Sequence, residues 1–130
     1  MEELNLRNYA HLGDAVWELK VREKTIYETQ HTKELHKLTT QYVNAGHQAE
    51  LLRLIEPHLT ESEQDLVRRA RNLQVPISRR GIQADYRQAT AFEVLVGYLY
   101  LNDKNRLEEI YSIEGVLWKE LFGYLYVFYL

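Results

Sequence analysis

Apolar residues recur three or four positions apart along most of this 130-residue chain, and few stretches alternate with a period of two. Such spacing is typical of amphipathic α-helices. Glycine and proline, which interrupt helices, number only six and two. The pattern therefore predicts an all-α fold, a helical bundle.

Capping residues and helix breakers place the helix ends. Thr32 is expected to cap the second helix, Gly46 to end it, and Pro57 to end the third. Thr60 and Glu63 fit a capping box, which marks the start of a fourth helix. The predicted helices run from about Tyr9 to Lys24, from Thr32, from His47 to about Ile55, from Glu61, from Arg87 to Leu101, and from about Lys104 to Ile110.

Two further segments are expected to matter. The first helix should bury an apolar face made of Leu12, Ala15, Val16, Leu19 and Val21. Helical periodicity fails between Leu73 and Tyr86, which predicts a loop, and long loops in small domains are often functional.

A chain of this length holds one hydrophobic core. We expect a main domain at residues 1–112 and an aromatic tail at residues 113–130. The tail is too short and too polar at its start for a membrane span. It could pack on the domain, pair with another subunit or lie on a lipid surface. Packing on the domain or on a dimer is expected, because exposed aromatic patches of this size mark interfaces.

Composition excludes several kinds of chemistry. Cysteine is absent, so disulfides, thiolate metal sites and a cysteine nucleophile are excluded. The five histidines form no zinc motif, and no glycine-rich nucleotide-binding motif occurs. The acidic, polar N-terminus lacks the pattern of a secretory signal, so we expect a cytoplasmic protein.

The net charge of −3 hides an asymmetry. Between Leu66 and Thr90 the net charge is +5, and the rest of the chain carries −8. A basic segment on an acidic body suits contact with a nucleic acid, although a solvated helix end would give the same pattern. The candidate RNA-binding residues are Arg68, Arg69, Arg71, Arg79, Arg80 and Arg87.

Two carboxylates stand in unfavourable places. Glu93 is the only charged residue between positions 89 and 101, so it should be partly buried. Asp14 poses a similar problem in the middle of a helix, directly after Gly13, and both residue types are unfavourable there. A salt bridge or an interhelical hydrogen bond could explain each acid alone. Together they favour Mg²⁺, with Mn²⁺ as a possible substitute, activating water for phosphodiester hydrolysis.

Both acids lie in segments that resemble a known family. HLGDAVWE at residues 11–18 resembles the ribonuclease III signature LGDAVLE, and TAFEVLVGYLYL at residues 90–101 resembles the family motif DxFEALIGAIYL. The resemblance extends from roughly Tyr9 to Ile110 and implies the helical endonuclease-domain fold. It also implies that Asp14 and Glu93 are the catalytic metal ligands.

Two of the family's four acidic positions are changed, to Ala10 and Thr90. This reduction, with a short chain that ends without the usual double-stranded-RNA-binding domain, is similar to the Mini-III branch. That branch implies a homodimeric, divalent-metal-dependent endoribonuclease acting on double-stranded precursor of large-subunit (23S) ribosomal RNA. Thr90 would support the site from outside, and Glu18 would do so or would contact a second subunit.

Because no separate RNA-binding domain is expected, the candidate arginines and the predicted loop between Leu73 and Tyr86 would bind the phosphates of the RNA backbone. Gln74, Ser78 and Gln83 are candidates for local sequence preference. A non-catalytic RNA-binding module on the same fold is the main rival, because it predicts the loss of two acids. A helical interaction domain unrelated to RNA would leave the +5 segment unexplained.

Overall fold

The computed structural model describes the backbone of residues 3–74 and 83–122, and the side chains of residues 3–74 and 84–115. Within these residues the chain forms helices and no strands, so the predicted all-α class is confirmed. The helices are α1 (Leu6–Thr25), α2 (Thr32–Tyr42), α3 (Ala45–Ile55), α4 (Glu61–Arg71), α5 (Gln83–Asn102) and α6 (Lys104–Phe122), with a short 3₁₀ turn at Glu56–His58.

Helix α5 is the centre of the bundle. It packs against α1, α3, α4 and α6. Its side chains Phe92, Leu95 and Val96 are fully buried, as expected for a helix that is apolar around nearly its whole circumference. The prediction of a buried fifth helix is confirmed, although the helix begins at Gln83, four residues before the expected start.

The buried face of α1 differs from the predicted one. It consists of Tyr9, Gly13, Trp17, Val21 and Thr25, while Ala15 and Leu19 are exposed. Trp17 decides this orientation. Its ring stands edge-on to Phe92 at 5.1 Å, and its Nε1 donates to the Tyr42 carbonyl oxygen at 2.9 Å. A large indole with a satisfied N–H fills the core better than the smaller Ala15 and Leu19 would.

The capping box at the start of α4 is confirmed. The Thr60 backbone N–H donates to Glu63 Oε1 at 2.8 Å, and the Glu63 N–H donates to Thr60 Oγ1 at 3.2 Å. Arg106 from α6 also contacts Glu63 at 2.8 Å, in a salt bridge that is largely buried. The Glu63 carboxylate therefore caps the N-terminus of α4 and links α4 to α6.

Two other predicted boundaries are wrong. Thr32 is the first residue of α2, and the N-cap is His31, which makes no side-chain capping bond. Gly46 lies in the first turn of α3, where Asn44 is the N-cap and its Oδ1 accepts from the His47 N–H at 2.8 Å. Asn44 provides the missing acceptor, so the chain breaks two residues earlier than the glycine suggested.

Helix α6 continues well past the predicted end at Ile110 and crosses the expected boundary between residues 112 and 113 without a break. Tyr111 and Glu114 are buried on it, so the helix still faces the core beyond its predicted end. The expected packing of residues 123–130 falls outside the described part of the chain, as does most of the predicted loop, residues 75–82. None of the helices in the described part is long and apolar enough to cross a membrane.

Candidate active site

Helices α1 and α5 cross with their backbones in close contact. A Cβ atom added to Gly13 would lie 1.8 Å from the Glu93 carbonyl oxygen, and one added to Gly97 would lie 2.0 Å from the Tyr9 carbonyl oxygen. Only glycine permits this approach. The presence of Gly13 in mid-helix, which the sequence left unexplained on grounds of stability, therefore has a packing reason.

This crossing places Asp14 beside Glu93, the pairing that the sequence predicted. Asp14 is exposed, whereas Glu93 is partly buried as expected. Burial, and to a lesser extent the negative charge of Asp14 and a side-chain hydrogen bond to Asp14, together raise the pKa of Glu93 to about 8. Glu93 therefore holds a proton at neutral pH unless a cation stabilises the charged form.

The other predicted positions surround this pair. Thr90 lies one helical turn before Glu93 and is half-buried. Ala10 lies one turn before Asp14 and packs against the core. Glu18 lies one turn after Asp14 and forms a salt bridge with Arg22 at 3.1 Å. Thr90 and Ala10 carry no carboxylate, so neither adds an acidic ligand to the pair, and Glu18 makes its salt bridge with Arg22 at the protein surface.

The four described arginines of the basic segment are all engaged within the protein. Arg68 pairs with Asp65, and Arg69 pairs with Asp65 and Glu3. Arg68 is the most exposed of them and remains accessible to a ligand. Arg79 and Arg80 lie outside the described residues.

Arg71 and Arg87 stabilise the C-terminal end of α4 through bonds to neighbouring segments. Arg71 forms a salt bridge with Glu56 at 2.6 Å and also donates to Gln88. Arg87 donates to the carbonyl oxygens of Arg71 at 2.7 Å and Leu73 at 3.2 Å. The bonds from Arg87 occupy backbone acceptors that a helix C-terminus leaves open, whereas those from Arg71 reach side chains.

One positively charged side chain near the site, that of Arg7, was not predicted from the sequence. Arg7, on α1, donates to the Gln74 carbonyl oxygen at 2.7 Å across 67 positions of sequence. It lies two turns before Asp14, and that helical spacing is the signal that could have found it.

The donor set suits few metal ions. In the described residues no group of three or more His, Cys, Asp or Glu side chains could hold a metal. Two carboxylates alone fit an ion that keeps several waters and takes the rest of its ligands from substrate phosphates, as Mg²⁺ does. The arrangement does not fit a tetrahedral zinc site.

Comparisons with known proteins agree with this geometry. A model of the ribonuclease III domain matches residues 7–104. A Mini-ribonuclease 3 from Gloeobacter violaceus is 46% identical over 107 residues, which cover 82% of this chain and 79% of that protein. One from Clostridium tetani is 38% identical over 124 residues, covering 92% of this chain and 82% of that protein.

The fold is similar to a crystal structure as well. A protein from Fusobacterium nucleatum superposes with a TM-score of 0.77 at 31% identity, covering 92% of this chain and 95% of that one. The matched family region contains both Asp14 and Glu93. The chain therefore belongs to the ribonuclease III family of endoribonucleases, in its Mini-ribonuclease 3 branch.

Proposed function

We propose that this chain hydrolyses phosphodiester bonds of double-stranded precursor of 23S ribosomal RNA in the cytoplasm, as a homodimer that uses Mg²⁺ held by Asp14 and Glu93. The observation that carries the proposal is the facing pair of carboxyl groups at the α1–α5 crossing. Burial and mutual repulsion make this pair unfavourable when both are charged. A divalent cation held by these carboxylates would remove that penalty.

When bound, Mg²⁺ would supply an activated water and stabilise the departing oxygen. The protein's own contribution is to hold two oxygen donors at a fixed spacing on rigid helices. Gly13 and Gly97 bring the helices together, and the core around Phe92 keeps α5 in place. Thr90 and Ala10 leave the neighbouring positions free of further carboxylates, so water and phosphate oxygens can complete the coordination.

A double-stranded RNA substrate accords with the charge pattern and the family. The +5 segment ends at Thr90, one turn before Glu93, so the basic residues adjoin the carboxylate pair in sequence. A-form RNA presents a wide, shallow minor groove that proteins contact through backbone phosphates and 2′-hydroxyls. The matched relatives are named as Mini-ribonuclease 3 proteins, which supports a processing role on structured RNA.

Exposed apolar side chains on α1 and just after it support a homodimer. Leu19, Ile26 and Tyr27 are 57, 58 and 86% exposed. Ile26 also lines a cleft between α1 and α2, together with Leu35 and Thr39. Large exposed apolar side chains grouped in one stretch of the chain are typical of an interaction site, and a second copy of the chain would cover them.

Cleavage of a labelled stem from ribosomal RNA precursor tests the proposal. We expect cutting in Mg²⁺ and none in EDTA. Glu93→Gln keeps the size of the side chain but removes the charge that the ion requires, so it should lower the cleavage rate at least about a hundredfold while RNA binding persists. Glu108→Gln removes an exposed carboxylate from α6 and is the matched control. Equal cutting by wild type and Glu93→Gln would contradict the assignment.

A second function, RNA binding without cleavage, is favoured by one observation. Ala10 and Thr90 leave only two carboxylates at the site, and no larger ligand group occurs in the described residues. The same assay separates the two functions. Binding in both Mg²⁺ and EDTA with no cutting in either would replace the proposed hydrolysis by this module function.

A further inference from the structure

Arg7 differs from most arginines of the described part of the chain in its partner. Six of them form salt bridges with carboxylates, and these are Arg22, Arg53, Arg68, Arg69, Arg71 and Arg106. Arg7 donates instead to the main-chain carbonyl oxygen of Gln74. No acid among the described residues pairs with it, so its positive charge is available to an anionic ligand.

The location of Arg7 connects it to the carboxylate pair. Arg7 lines a narrow cleft with Gln74, Arg87 and Thr90. This cleft brings the start of α1, the residues after α4 and the first half of α5 together. Thr90 lies one turn before Glu93 on α5, so one residue of the cleft lining adjoins a proposed metal ligand along the helix.

Helix geometry gives the separation. Arg7 and Asp14 are seven residues apart on α1, so they lie on the same face, about 10 Å apart along the axis. The long side chain of arginine spans part of this distance. A polyanion whose scissile phosphate sits at Asp14 and Glu93 would thus have a neighbouring phosphate within reach of the Arg7 guanidinium.

We propose that Arg7 is a substrate-binding residue that donates two parallel hydrogen bonds to a backbone phosphate of the RNA next to the cleaved bond. This inference rests on the proposed function, because it takes Asp14 and Glu93 as the reacting centre. Guanidinium matches phosphate geometry bidentately, and a carbonyl oxygen is a weaker competitor for it than a carboxylate. On binding, Arg7 would exchange its bond to Gln74 for the phosphate.

Salt-dependent binding of a short double-stranded RNA, measured by fluorescence anisotropy in EDTA with the full chain, tests the inference. One lost phosphate contact lowers the slope of log affinity against log salt concentration by about 0.7 to 1. We expect this change for Arg7→Gln, with an affinity roughly fivefold to tenfold lower at moderate salt. Arg53→Gln is the control, since it removes the same charge from an arginine on α3 that is paired with Glu50.

Arg7→Lys separates a direct contact from a structural role. Lysine keeps the charge but cannot bond bidentately, so it should restore the salt slope and only part of the affinity. An unchanged slope in Arg7→Gln, or one equal to that of Arg53→Gln, would overturn the inference. Binding that depends on Arg7 without any cleavage in Mg²⁺ would reject the proposed hydrolysis and keep this contact. No binding by the wild type would reject both.

Discussion

Gly13→Ala is the substitution that most directly tests how the fold builds the site. The added Cβ would lie 1.8 Å from the Glu93 carbonyl oxygen, 2.7 Å from the Glu93 carbonyl carbon and 2.9 Å from the Gly97 nitrogen. All three atoms belong to the backbone of α5, so no side chain can rotate out of the way. The two helices must separate by about 1 Å to accept the methyl group.

The decrease in the free energy of unfolding can be estimated from that displacement. Moving the packed atoms of the two helices 0.5–1 Å apart removes about a quarter to a half of the dispersion energy of the affected contacts. Overpacking of well-packed cores typically costs about 1–3 kcal/mol, and a backbone clash falls at or above the top of this range. Alanine regains about 1 kcal/mol of helix propensity over glycine. We therefore expect a net loss of about 2–3 kcal/mol and a decrease in Tm of about 10 °C.

Thermal and urea unfolding of wild type and variant measure this loss. Gly46→Ala is the matched control, because its Cβ would meet only side-chain atoms, Asn44 Oδ1 at 3.3 Å and Asp85 Oδ2 at 3.8 Å. It should be neutral or more stable by up to about 1 kcal/mol. Gly13→Ala should also cleave RNA more slowly under conditions where it remains folded, because the shift separates Asp14 from Glu93. A Gly13→Ala protein as stable as wild type would refute the close-packing argument.

Three further outcomes are expected. Burial lowers the pKa of His47 to about 4, below its unfolded value near 6.5. The contribution of neutral His47 to the free energy of unfolding should therefore be fully present above pH 6.5 and decrease as pH falls toward 4. Urea unfolding of wild type and His47→Phe at several pH values checks this, and an equal change of unfolding free energy with pH in both proteins would contradict it. Glu114 is fully buried, and within the described part of the chain neither of its carboxyl oxygens has a hydrogen-bond partner. Burial raises the pKa of Glu114 well above its usual value, so stability is lost as pH rises from about 4.5. Glu114→Met should therefore increase the free energy of unfolding by about 1–3 kcal/mol at pH 8 and by less at pH 5, measured by urea unfolding. Leu19→Glu combined with Ile26→Glu should convert the proposed dimer to a monomer in sedimentation velocity while the helical circular dichroism is retained, whereas Glu108→Gln should leave the assembly intact. A double variant that still sediments as a dimer would place the interface elsewhere.

Much of the fold could be predicted because its signals are local. The capping box at Thr60 and Glu63 depends on four successive residues, and the apolar run of α5 depends on one continuous segment. Sequence alone also selected Asp14 and Glu93, since each stands in a context that disfavours it. The same motifs carried the family resemblance, which the comparisons bear out.

Other features depended on contacts between distant segments. Leu19 and Trp17 are both apolar and two residues apart, and only the partners Phe92 and Tyr42 decide which of them is buried. The reason for Gly13 is the backbone of α5, some 80 positions later in the chain. Arg7 meets the residues after α4 across 67 positions, a distance over which no periodicity operates.

The sequence by itself determined the helical class, most helix positions, the family and the two acidic positions, because periodicity, caps and motifs are short-range properties of the chain. Only the tertiary structure decided that Asp14 is exposed while Glu93 is partly buried, and that Gly13 and Gly97 set the distance between α1 and α5. It also decided that Arg71 and Arg87 stabilise the C-terminal end of α4. These features arise from helix crossing and packing, where the neighbour that matters is close in space and remote in sequence.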